Sequence, residues 1–379
     1  MATNRYSKFL WLAALVLTIS NCVEPYQLPV SKETVNILVV DGLINATDNS
    51  AKVRLSRAIS LSQAPVYPAE LKASVSVESE DGNKYSLLEK PGGNYELTGQ
   101  SWNALKKYRL LIATQNGQQY KSDYIEIKQS PQLDTVAWNA ESDGTTIYAN
   151  AHDATGKVDY YKWNYTETFE YNAHFGSYYK LVNGVPILRA QSEYIYKCWR
   201  TDPSSRILIG SSIQLTQNVV SHYPLTFLPL GTEKLSEKYS ILVRVRGISV
   251  DEYNYWQLLQ KTTENLGGLF DPLPTQVTGN MHNTTNSSES VLGYFSGGYI
   301  QEKRIYISPN DLPDYLRRVD PSGCRQDTIP NARLSGLGNS VLLIGSYGVP
   351  VTLGYLSSTP NCIDCRLAGG TTIKPDFWP

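Results

Sequence analysis

Two runs decide the fold class: Tyr108-Arg109-Leu110-Leu111-Ile112-Ala113 and Gln119-Tyr120-Lys121-Ser122-Asp123-Tyr124, joined across Asn116-Gly117. Asn-Gly between short β-type runs is the strongest local hairpin signal, because both central turn positions need positive φ. Working outward, Asp81-Gly82 follows Ala73-Ser74-Val75-Ser76-Val77-Glu78 in the same manner. Upstream lie Val35-Asn36-Ile37-Leu38-Val39-Val40 and Ala51-Lys52-Val53-Arg54-Leu55, each short and either β-branched or alternating. About seven such strands within roughly a hundred residues predict an immunoglobulin-like β-sandwich over residues 35–130. No cysteine pair falls in that span, so the likeness is architectural only.

Lys128-Gln129-Ser130-Pro131-Gln132 reads as a boundary. Residues 131–379 predict a larger, mostly-β domain, with strands at 134–139, 145–152, 160–171, 240–248, 298–308 and 341–344 and turns at Asp143-Gly144 and Asn183-Gly184. One helix interrupts it near 250–266. Ser249-Val250-Asp251-Glu252 has the capping-box pattern, Tyr253, Trp256 and Leu259 make an apolar stripe, and Gly267-Gly268 supplies a stop. The fold class expected is therefore all-β.

The N-terminus carries Arg5 and Lys8 before an apolar stretch from Phe9 to Leu17, then Thr18-Ile19-Ser20-Asn21-Cys22. Residues 1–21 read as a signal peptide, since the stretch is shorter than the roughly 20 residues a membrane span requires. Cleavage before Cys22 exposes a thiol for acylation, and two or more acyl chains hold a protein firmly where one is marginal. Residues 22–34, with Pro25 and Pro29 and no periodicity, read as a tether between lipid and fold.

Formal net charge is −1 with no block of like charge, which argues against a nucleic-acid partner. Charged residues make up 18% of the chain while tyrosine alone supplies 27, a balance suited to strands with aromatic faces. After Cys22 there remain Cys198, Cys324, Cys362 and Cys365. An even count in an exported protein suggests two disulfides, with all three pairings open. A redox role for Cys362-Ile363-Asp364-Cys365 would need the motif to open a helix, whereas Arg366-Leu367-Ala368-Gly369-Gly370 reads as loop. His152, His174, His222 and His282 lack metal-ligand spacing, and no Gly-x-Ser-x-Gly elbow occurs. No catalytic residue, metal or cofactor is therefore assigned.

The aromatic run from Tyr160 to Tyr171 admits two readings. As one strand it puts Tyr161, Trp163, Tyr165, Phe169 and Tyr171 on a single face, which is either core or an exposed contact surface. Tyr178, Tyr179, Tyr194, Tyr196 and Trp199 follow closely, and hydroxyl-bearing rings are common in binding surfaces. The candidate binding residues are thus Tyr161, Trp163, Tyr165, Tyr171, Tyr178 and Tyr179.

Three stretches together carry a family resemblance. They are Cys22-Val23-Glu24-Pro25-Tyr26 with Leu38-Val39-Val40-Asp41-Gly42; Tyr253-Asn254-Tyr255-Trp256 through Gly267-Gly268-Leu269-Phe270-Asp271-Pro272 and Gly293-Tyr294-Phe295-Ser296; and Cys362-Ile363-Asp364-Cys365 with Lys374-Pro375-Asp376-Phe377-Trp378. Over essentially the whole mature chain the sequence resembles an uncharacterised family of Bacteroidetes outer-membrane lipoproteins, a domain of unknown function commonly encoded beside TonB-dependent receptors. The resemblance implies a lipid-anchored outer-membrane protein and carries over no catalytic residue. The function expected is a non-catalytic accessory or ligand-presenting partner of such a receptor. The alternative is an adhesive or structural surface module gripping glycan or protein through aromatic side chains.

Overall fold

The alternating pattern read in the first hundred residues does form strands, but it does not complete its own sandwich. The structure, a computed structural model, describes residues 36–58, 68–214, 218–264, 277–317 and 323–379. The signal segment, the tether with Cys22, and Gly267-Gly268 lie outside the described residues. One sheet contains β1 (Leu38–Asn45), β2 (Ser50–Arg57), β5 (Leu88–Lys90) and β6 (Asn94–Thr98). The facing sheet contains β3 (Ser74–Ser79), β4 (Lys84–Ser86), β7 (Lys107–Ala113), β8 (Gln119–Ser122) and β9 (Ile125–Glu126). Alternate residues Leu38, Val40, Val53, Leu55, Val75, Val77, Leu110 and Ile112 point into one shared core. The Asn116-Gly117 turn closes β7 on β8 as expected, with Ile112 opposite Tyr120 and Gly117 at φ 84°.

Both sheets then take a strand from much later in the chain. β19 (Met281–Asn283) pairs antiparallel with β8, and β20 (Leu292–Gly298) pairs parallel with β1, Val39 opposite Leu292 through Asn45 opposite Gly298. This differs from an immunoglobulin-like sandwich confined to residues 35–130. Phe295 and Met281 are buried in the first core, which stays incomplete without them. The approach of β20 is close: a Cβ on Gly293 would lie 1.7 Å from the Val40 carbonyl oxygen, and one on Gly279 would lie 1.7 Å from the Gly293 carbonyl oxygen.

A second pair of sheets follows. β10 (Gln132–Glu141), β11 (Gly144–His152) and β17 (Val219–Pro229) form one. The other contains β12 (Tyr160–Asn172), β15 (Lys197–Pro203), β16 (Leu208–Ser211), β18 (Tyr239–Gly247) and β21 (Gln301–Ile307). Helix α1 (Val250–Thr263) lies against β12 and β16. A smaller sheet runs β14 (Val185–Leu188), β13 (Tyr179–Val182), β23 (Leu342–Tyr347), β24 (Gly354–Ser357), β22 (Asp327–Pro330), followed by the one-turn helix α2 (Pro360–Ile363). The chain is thus all-β apart from a few short helices, and no helix among the described residues is long and apolar enough to cross a membrane.

Candidate binding surfaces

The aromatic face of β12 is core, and the reading of Tyr161, Trp163, Tyr165 and Tyr171 as an exposed contact surface is corrected. All four are buried between the two sheets of the second sandwich, together with Phe169. Three of the rings have a named interior partner: the Tyr161 hydroxyl meets Ser212 Oγ at 3.0 Å, Trp163 stacks on Tyr223, and the Tyr171 hydroxyl donates to the Cys365 carbonyl at 2.7 Å. The same alternation buries Glu167, whose carboxylate accepts from Lys234 Nζ and the Tyr239 hydroxyl, both at 2.6 Å. Burial, with the Glu167 charge beside it, holds the Tyr239 hydroxyl well above its ordinary range.

One group of exposed apolar side chains lies on and beside the small sheet. Tyr178 is 58% exposed, whereas Tyr179 turns inward, its ring 5.1 Å from Tyr355. The β13–β14 hairpin turns at Asn183-Gly184, pairing Val182 with Val185 and Lys180 with Ile187, so these four side chains share one outward face. Val185, Ile187 and the hairpin-end Leu188 are exposed, as are Tyr194 and Tyr196 beyond them. β14 is an edge strand. Counting from the two-residue turn, Pro186 occupies the position whose N–H would face outward, and it has none, so strand addition there is blunted. Contacts with this face must run through side chains. Two disulfides, Cys198–Cys365 and Cys324–Cys362, hold the surrounding chain. Cys362 and Cys365 bond to different partners, so the pair is not a dithiol unit.

A cleft of about 970 Å³ opens where the two sandwiches meet, beside the start of α1. Its ionised groups are mostly tied to one another. Glu126 lies 2.8 Å from Lys128, which holds its carboxyl below the ordinary range, and Asp123 lies 3.0 Å from His282. Burial pushes the hydroxyls of Tyr255 and Tyr294 in its wall up to about 12, so neither serves as a base near neutrality. At the root of α1, Glu252 is buried and takes both terminal nitrogens of Arg246 and the indole N–H of Trp256. Ser249 caps the Glu252 amide as the sequence suggested, but the Glu252 carboxylate turns to Arg246 rather than back to the cap. Lys162 lies across from Arg246 with its ammonium 3.0 Å over the Trp256 ring. Among the described residues no group of three or more His, Cys, Asp or Glu is placed to hold a metal ion.

These features define an all-β protein of stacked sheets with two disulfides and with one group of exposed aliphatic side chains on the outward face of a small sheet. The chain belongs to the family described as Domain of unknown function (DUF4249), whose model matches residues 23–304, from beside Cys22 into β21. No curated protein matches it. Among solved structures it is similar to that of Yersinia pseudotuberculosis adhesin InvE, at 10% identity over 85% of this chain and 75% of that one, with a TM-score of 0.15, too low to relate the folds.

Proposed function

We propose that the chain is a non-catalytic, lipid-anchored outer-membrane protein of Bacteroidetes that serves as an accessory or ligand-presenting partner of a TonB-dependent receptor. The observation that carries this reading is the outward face of β13–β14. Val185 and Ile187 are 58% and 39% exposed there, and apolar groups gathered on one face of a sheet are what a protein partner covers. The signal plan ending at Cys22 supports the anchor, and the family resemblance supports the receptor. Lysine-directed crosslinking in intact outer membranes tests the contact. It is expected to join Lys180, which shares this face, to a receptor of the TonB-dependent type. Crosslinks that reach only unrelated envelope proteins would refute the assignment. Metabolic labelling with palmitate checks the anchor: incorporation lost in Cys22→Ala is expected, and a labelled Cys22→Ala chain would contradict it.

A further inference from the structure

The outward face of the sheet β10–β11–β17 carries a built arrangement that the core does not use. Ile147, Ala149 and Ala151 point inward and are buried, so Thr146, Tyr148, Asn150 and His152 point outward. Ala149 pairs with Tyr223 but Ala151 with Val220, so Ser221 and His222 together oppose Asn150 as a β-bulge. His222 sits at φ 51°, the left-handed region that a residue with a Cβ disfavours. The bulge lays its ring on Tyr148, centroids 4.6 Å apart and planes 21° from parallel. Side chains fix that pose. The His222 amide donates to Asn150 Oδ1 at 2.7 Å, its Nδ1 lies 2.9 Å from Ser221 Oγ, and the Asn150 amide nitrogen donates to Thr135 Oγ1. Phe227, 44% exposed, continues the ring surface opposite Thr146.

Charge on this face stays at its ends. Asp134 pairs with His152 at 2.8 Å and Lys303 reaches the Asp134 carbonyl at one end, while Glu141 accepts the Thr146 hydroxyl at the other. Between them lie flat rings, an amide and hydroxyls, with the exposed ring of Pro224 opposite Tyr148. An acidic polymer would need cations there and an apolar protein segment would need aliphatic surface. A pyranose suits what is present, because its C–H faces stack on rings while its hydroxyls exchange hydrogen bonds with Asn, Ser and Thr. We propose that this face binds a neutral polysaccharide, with Tyr148 and His222 as the stacking platform and Asn150, Thr135 and Ser221 as hydroxyl partners. The site lies on a different sheet from the receptor-facing hairpin and does not depend on that reading.

Affinity electrophoresis of the detergent-solubilised full chain, through gels containing glucomannan, xyloglucan or dextran, tests the proposal. Retardation in at least one gel is expected, weakened tenfold or more by Tyr148→Ala and by His222→Gly and unchanged by Val185→Asp. Glycine suits the left-handed backbone at 222, so that variant keeps its fold while losing the ring. Retardation in none of the three gels, or retardation that both variants retain, would overturn the site. Lost receptor recovery in these variants, without gel retardation of the parent chain, would reassign the face to a protein contact.

Discussion

Lys162 and Glu252 meet beneath α1 with opposite consequences for stability. Burial first, then the Arg246 charge, pulls the Lys162 ammonium down to about 7, with Glu252 and Asp41 opposing the shift. An unfolded chain keeps that proton to about pH 10.4, so the folded state binds fewer protons between the two values and gains stability as pH rises. The urea midpoint is therefore predicted to climb from pH 7 to 9 in the native chain and to stay flat in Lys162→Met, the more stable of the two at pH 6. For Glu252, burial acts to raise the carboxyl, but Arg246 and the Trp256 N–H outweigh it and hold it below its ordinary value. Its contribution is complete above about pH 4.3 and is lost as pH falls through the depressed folded value. Removing one partner strands a buried charge, so Glu252→Ala should cost about 3–5 kcal/mol in urea unfolding at pH 7, while replacing both Glu252 and Arg246 by leucine should restore most of it. The cap at Ser249 was legible in sequence because its partner is three residues away. Arg246 was not, because it lies six residues before Glu252 in a strand, and only the turn of β18 into α1 brings the two together.

At the scale of elements, local hairpins were read and distant pairings were missed. β7, β8, β10, β11 and β12 announce themselves through alternation and nearby turn residues, Asn116-Gly117 falling in the β7–β8 turn. The β10–β11 turn sits one residue before the expected Asp143-Gly144, at Ser142-Asp143, with Gly144 already paired to Glu141. β20 carries no such signal, since a parallel neighbour some 250 residues away leaves no trace in a local window. Its glycines are the trace that was there to find. Gly293, at φ 110° and against the Val40 carbonyl, admits no side chain, so Gly293→Ala should destabilise the protein by more than about 3 kcal/mol, a loss of the size reserved for strained backbone and broken packing. Thermal unfolding measures it. The aromatic run of β12 was legible as a strand but not as core, because alternation assigns a common face without saying what covers it. The hairpin β13–β14 behaves oppositely. Val185→Asp with Ile187→Asp sits on exposed positions and should change stability by no more than about 0.5 kcal/mol per site, leaving any loss of binding free of a folding defect.

At the scale of the whole molecule, the disulfides bind distant parts of the chain. Cys198–Cys365 spans 167 residues and Cys324–Cys362 spans 38, so removing them as Cys198→Ala/Cys365→Ala and Cys324→Ala/Cys362→Ala should cost about 5 and about 4 kcal/mol through the freed unfolded chain. Urea unfolding of each pair variant checks both values. Two bridges were expected from the even cysteine count, but the pairing was not, because it depends on the C-terminal residues returning to β15, where Thr371 pairs with Trp199. The functional account rests on the exposed face of β13–β14. Its most direct test is affinity purification of the tagged full chain from detergent-solubilised outer membranes, with the Val185→Asp/Ile187→Asp chain beside it. The account predicts stoichiometric recovery of a TonB-dependent receptor with the native chain and its loss with the variant; recovery of the native chain alone, or of the receptor equally with both, would contradict it.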